Sequence, residues 1–163
     1  KQHALSTQLF FLFQRAQQIQ ALRQDDMFQP VRIADFLIEK DELFARQTLD
    51  PDEYTLYLNT YKHLTIDAPT PSLVIYLQAP TEVLLKRIRK RGILSEQFIE
   101  LGYLENLNNA YTELFHYYKK SPLLIVNSAE IDLVDNEEDY RQLVEYILSH
   151  PVGTNYFNPK RTF

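Results

Sequence analysis

The stretch SLVIYLQAPTEVLLKRIRKRG (residues 72–92) changes periodicity at a single proline. Before Pro80, residues 72–78 form a continuous apolar run with β-branched Val74 and Ile75 inside it, the pattern of a strand buried on both faces. After it, Leu84, Leu85 and Ile88 recur at helical steps and share one face. Five of the seventeen Lys and Arg fall in the six residues 86–91, and Gly92, one of only three glycines, then frees the backbone to turn. A second buried-type run, PLLIVNS (122–128), follows another helical stretch. Strands alternating with helices predict parallel strands joined by crossover helices, hence an α/β fold.

Working outward, LSTQLFFLFQRAQQIQALRQ (5–24) spaces Leu5, Leu9, Leu12, Phe13, Ala16, Ile19 and Leu22 as a long helix, with Ser6 or Thr7 as candidate cap. PVRIADF (30–36) reads as a short β-type run and EKDELFARQTL (39–49) as a short helix. Asp50-Pro51 opens a further helix, with Pro at its first position, carrying Tyr54, Leu58, Tyr61 and Leu64 and stopped by Pro69 and Pro71. GYLENLNNAYTELFHYYKK (102–120) is a long helix, residues 136–149 a final one, and PVGTNYFNPKRTF (151–163) an irregular tail. Three strands, beginning near residues 31, 72 and 122, leave apolar sheet surface uncovered. The chain also starts at Lys1 and runs straight into helix, so it is expected to be incomplete.

Composition excludes several classes. A net charge of −5 argues against general nucleic-acid binding, where a basic excess is the usual footprint. No apolar run approaches the ~20 residues of a membrane span, and no secretory pattern opens the chain. The absence of cysteine removes disulfide and thiol chemistry and fits a cytoplasmic location. Gly92, Gly102 and Gly153 lie too far apart for a G-x-x-x-x-G-K-[ST] or G-x-G-x-x-G loop. His3, His63, His116 and His150 make no metal-ligand spacing, and no serine nucleophile elbow is present.

The basic helix is a positive island on an acidic chain. Arg87 and Arg91, four residues apart, border its apolar face, while Lys86 and Lys90 point away. Two stacked guanidiniums suit bidentate grip on phosphate oxygens. The alternative is a solvated helix end whose cations complement the helix dipole.

The run SLVIYLQAPTEVLLKRIRKRG, the glutamate beyond it and YLENLNNAYTELF together resemble the deoxynucleoside kinase family. STQLFFLFQR, ADFLIEKDELFARQTL, LLIVNSAEIDLV and YFNP resemble its bacterial deoxyadenosine/deoxyguanosine kinase-like branch. The resemblance spans essentially the whole chain. It implies one kinase domain over 1–163, N-terminally incomplete, with a P-loop kinase-like parallel sheet flanked by helices, three of its five strands represented here. The phosphate loop and the carboxylate general base would precede Lys1. The implied activity is ATP-dependent phosphorylation of a deoxynucleoside at its 5′-hydroxyl, for nucleotide salvage. Mg2+ would be held mainly by the absent region, with no metal ligand here, and this chain alone would be inert.

Residue by residue, the resemblance implies that Gln8 hydrogen-bonds the nucleobase and that Arg15 lies near it, a surface cation being the alternative for Arg15. Arg87 and Arg91 match lid arginines that close over ATP phosphates, and Glu96, in a mobile-looking loop, matches a glutamate bonding the sugar 3′-hydroxyl. Asn127, Glu130 and Asp132 fall in the loop beside the ATP adenine, where backbone contacts matter most. Two places depart from the family pattern. Ile93 stands where many relatives carry a further arginine, and Ala34-Asp35-Phe36 replaces an acidic-Arg-Ser motif near the 5′-hydroxyl. Asp35 is the candidate there, with a helix N-cap as its alternative. A homodimer packed through helices rich in Phe and Tyr (9–13 and 111–118) is implied, with deoxynucleoside and ATP as partners and no nucleic acid or membrane. The competing reading is a non-catalytic, kinase-derived binding or dimerisation module lacking a phosphate loop.

Overall fold

The computed structural model describes residues 3–23, 31–65, 68–149 and 151–159. The chain forms two compact units, Lys1–Pro69 and Thr70–Phe163.

Unit 1 is helical: α1 (Ala4–Arg23), α2 (Ile38–Thr48) and α3 (Pro51–Thr65). Leu12, Ala16 and Ile19 of the α1 stripe are buried as the spacing predicts, but Phe13, placed in the same stripe, is 51% exposed. Leu12, Ala45 and Tyr57 form the centre, with Leu5, Leu9, Leu49, Tyr54, Tyr61 and Leu64 packed around them. Asp50 caps α3, its Oδ1 accepting from the backbone N–H groups of Asp52 and Glu53, while Glu53 reaches back to the Asp50 N–H. The expected cap at Ser6 or Thr7 does not form. The helix already runs from Ala4, so the Ser6 hydroxyl, inside the first turn, donates to His3 O at 3.0 Å.

Unit 2 holds a three-stranded parallel sheet in the order β1 (Val74–Gln78), β2 (Leu123–Asn127), β3 (Thr154–Phe157). Helices α4 (Thr81–Arg91) and α5 (Leu101–Tyr117) connect β1 to β2, and α6 (Glu137–Leu148) connects β2 to β3. Central β2 is the most buried strand, with Leu124 and Val126 fully buried against Ile131 and Leu143. Removing each such side chain from water is worth ~2 kcal/mol. Tyr76 of β1 stacks on Phe115 of α5 at 4.4 Å between ring centroids. Gly92 closes α4 in the left-handed region, φ 73°, its N–H on Ile88 O. Asn136 caps α6 through bonds accepted from the Glu138 and Asp139 amides.

The α/β class and the parallel sheet stand, but two strand assignments change. Of the run 30–36 expected as a strand, residues 31–36 have no ladder partner, and Ile33 is 95% exposed; Pro30 lies outside the described residues. Within the tail expected to be irregular, residues 154–157 pair in parallel with β2. The run in β1 expected to be buried on both faces is buried on one, with Ile75 and Leu77 exposed on the other. Glu96 lies at the end of a 3-10 turn, Leu94–Glu96, within the loop expected after Gly92.

Candidate functional site

The carboxyl ends of β1 and β2, where ligands of open parallel sheets bind, are tied together by a cluster of hydrogen bonds. Ser128, one residue beyond β2 and 4% exposed, sends both its backbone N–H and its hydroxyl to Gln78 O at the end of β1, at 2.8 and 2.9 Å. Arg87, at the middle of α4, donates through Nη1 to Ser128 Oγ at 3.2 Å and through Nη2 to Ser128 O and to Ile131 O. Three of its five N–H donors are thereby used within unit 2, leaving two.

The loop after β2 folds on its own side chains. Asn127 Oδ1 accepts from Ala129 N at 3.1 Å. Asp132 Oδ1 accepts from Val134 N and Asp135 N at 3.0 and 2.9 Å, and Asp132 N donates to Asp139 Oδ2. The bonds from Asp135 and Val134 hold the Asp132 carboxyl below its ordinary pKa. Asn127 and Asp132 therefore shape the loop through its backbone, and Glu130 lies exposed on it. Lys90 approaches Asp135 at 3.9 Å, so α4 turns Lys90 as well as Arg87 toward this loop.

One turn further on, Arg91 forms a fork through Nε and Nη2 onto Glu96 Oε2. The Arg91 side chain stays 57% exposed, and such surface pairs contribute at most ~1 kcal/mol. It is a guanidinium that can change partners at little cost.

Unit 1 carries the other candidates. Gln8 Nε2 donates to Thr48 Oγ1 at 3.2 Å, and Thr48 in turn donates to Phe44 O at 2.8 Å. Arg15 is held on three sides: Nη1 donates to Gln18 Oε1 at 2.8 Å, Nε stands 3.9 Å from Asp41 Oδ1, and the guanidinium lies 4.8 Å over the Phe36 ring. Burial pushes the Asp41 carboxyl up to about 6, with Arg15 and then Lys40 pulling the other way. Asp35 is exposed and is not the N-cap of α2, a position taken by Leu37. It lines an open groove of about 460 Å³ with Gln18, Ala21, Leu22, Ile33, Ala34 and Phe36.

The sequence candidates thus divide. Gln8, Arg15 and Asp35 belong to unit 1; Arg87, Arg91, Glu96, Asn127, Glu130 and Asp132 belong to unit 2. Within unit 2 the structure joins Arg87 to the loop and Arg91 to Glu96. Sequence reasoning missed Asp41, Thr48 and Ser128 as partners. Asp41 and Thr48 were detectable in principle, since positions 41, 45 and 48 share one face of α2 around buried Ala45. Ser128 carried no local signal. Among the described residues no group of three His, Asp or Glu could hold a metal ion, and no helix is long and apolar enough to cross a membrane.

A parallel α/β sheet with a basic helix after one strand and a prefolded loop after the next is the arrangement of a P-loop kinase-like phosphotransferase. More narrowly, the chain belongs to the deoxynucleoside kinase family, whose family model matches residues 1–151. It is 34% identical to a Bacillus subtilis protein named deoxyguanosine kinase, over 90% of this chain and 73% of that protein. It is 26% identical to a Lactobacillus johnsonii deoxyguanosine kinase over 91% of this chain and 71% of the other. A Dictyostelium discoideum deoxyadenosine kinase is 30% identical over 85% of this chain and 57% of its own length. The chain is accordingly that of a kinase, a transferase that phosphorylates deoxynucleosides, with ATP the donor its family implies.

Proposed function

We propose that this kinase transfers the γ-phosphoryl of ATP to the 5′-hydroxyl of a purine deoxynucleoside in nucleotide salvage in the cytoplasm. What carries the reading is the basic end of α4 beside a self-folded loop at the carboxyl ends of β1 and β2. Phosphoryl transfer asks mainly for positioning and for cations where charge develops. Arg91, exposed and lightly held, is the group we assign to the transferring charge, with the two remaining Arg87 donors beside it. Asn127, Glu130 and Asp132 lie on the loop assigned to the donor base. The names of the relatives, deoxyguanosine and deoxyadenosine kinases, support a purine acceptor.

On the acceptor side we assign Gln8 and Arg15 to the base, Glu96 to the 3′-hydroxyl and Asp35 to the neighbourhood of the 5′-hydroxyl. Gln8 retains one N–H and its carbonyl after bonding Thr48, the donor-and-acceptor pair a purine edge requires. Mg2+ would travel with the ATP phosphates, and the described residues offer it no cluster of His, Asp or Glu. Residues 1–163 are read as part of one kinase domain, supported by a single family match that runs through both units. A homodimer is proposed from α1, where Phe10, Phe11 and Phe13 are 57%, 45% and 51% exposed. In the 111–118 stretch Phe115 and Tyr118 are instead buried in the core.

A phosphorylation assay on the full-length kinase, with labelled ATP and deoxyadenosine, deoxyguanosine and deoxycytidine, tests the reading, with monophosphate expected from a purine substrate first. Product from none of the three would sink it. No observation favours the non-catalytic module.

A further inference from the structure

We propose that Ser128 is a positioning residue of the donor site, acting through Arg87 to fix the loop after β2 against α4. The inference rests on the reading of that loop as the donor-side surface. The Ser128 hydroxyl has one hydrogen, and it goes to Gln78 O at 2.9 Å. Toward Arg87 Nη1, at 3.2 Å, the same oxygen can therefore only accept. That fixes one arm of a planar fork, and the other arm falls on Ser128 O and Ile131 O. Ile131 is 5% exposed and sits in the core with Leu124, Val126 and Leu143, so the far end of the clamp is anchored as well. Between the two ends lie Ala129 and Glu130.

The consequence is a division of labour along one helix. Arg87 spends three of its five donors on Ser128 and Ile131 and keeps two, while Arg91 is held only by the exposed pair with Glu96 and is the cation freer to meet phosphate. A lysine at position 87 would keep the charge but could not span three acceptors in one plane.

The test measures binding of a fluorescent ATP analogue together with backbone hydrogen exchange of the ligand-free protein. Ser128→Ala is expected to weaken the ATP analogue about fivefold, with nucleoside binding unchanged, and to speed amide exchange at residues 129–132. Arg87→Ala should do more. The double variant should be no worse than Arg87→Ala alone, because Ser128 has nothing to position once the guanidinium is gone. Should Ser128→Ala not fold, Arg87→Lys carries the exchange measurement, being on an exposed helix face. Additive losses in the double variant, unchanged exchange at 129–132, or equal weakening of both ligands would each overturn the proposal. If the unmodified protein fails to bind the ATP analogue, the functional reading falls first and this one with it. Tight binding that Ser128→Ala leaves intact removes this one alone.

Discussion

The two units treat their buried polar groups in opposite ways. In unit 2, Ser128 is almost fully buried and its N–H, hydroxyl and carbonyl are all bonded, with Arg87 and the end of β1 completing the set. In unit 1, Asp41 Oδ2 and the hydroxyl of fully buried Tyr57 have no hydrogen-bond partner among the described residues. An unmatched buried polar atom costs ~1–3 kcal/mol, so such atoms are few in folded proteins and each asks for a reason. The contrast separates a loop whose polar groups are fully bonded within the protein from a set of groups kept at a cost in stability. Substitutions on each side should therefore fail differently: on the first by losing function, on the second by gaining stability.

The largest effect is expected where unit 2 holds a cation only in an exposed pair, Arg91 with Glu96. Arg91→Ala should lower kcat by ~10² or more, because it removes charge that matters most in the transition state. Steady-state kinetics within threefold of the unmodified enzyme would take Arg91 out of the catalytic set. Next comes unit 1, where Gln8→Ala should raise KM for the deoxynucleoside by about tenfold and leave KM for ATP alone. Equal weakening of both substrates would contradict a base-reading role.

How far the sequence announced this arrangement depends on how local each feature is. α4 and its glycine stop, the Asp50–Glu53 cap of α3 and the Asn136 start of α6 follow from short-range chemistry, and the structure has them. Strands are another matter, because a strand exists only where a neighbour accepts its hydrogen bonds. The run 31–36 carries β-branched Val31 and Ile33, yet no strand pairs with it and both stand exposed. TNYF looks unremarkable but lies beside β2, and its four residues become β3. The site shows the same limit. The basic island was visible at once, but the commitment of Arg87 to Ser128 and Ile131 spans 41 and 44 residues of sequence, which no local pattern encodes.

Tyr57→Phe gives a smaller and opposite effect. The hydroxyl is buried without a bond, and burial together with the nearby Asp41 holds its pKa well above the ordinary value. Removing one oxygen and nothing else should raise unfolding free energy by ~1 kcal/mol, read as a higher urea midpoint at unchanged slope. A lower midpoint would mean that the hydroxyl has a partner in solution and that the two units match their buried polar groups more alike.

The smallest effect, and the most specific, belongs to Asp41. Its folded-state pKa is raised from 3.8 to about 6, chiefly by burial, so between those values the folded chain holds a proton that the unfolded chain gives up. Stability from this group is therefore fully present below pH ~4 and lost as pH rises through ~6. Asn cannot ionise and escapes the loss, although it also gives up the attraction of Arg15 at 3.9 Å, which offsets part of the gain. Asp41→Asn should then melt above the unmodified protein at pH 7, with the gap closing as pH falls toward 4. A gap of constant size across that range would mean that Asp41 titrates normally. A gap of the opposite sign at pH 7 would mean that the Arg15 pair outweighs burial, making unit 1 as well matched as unit 2.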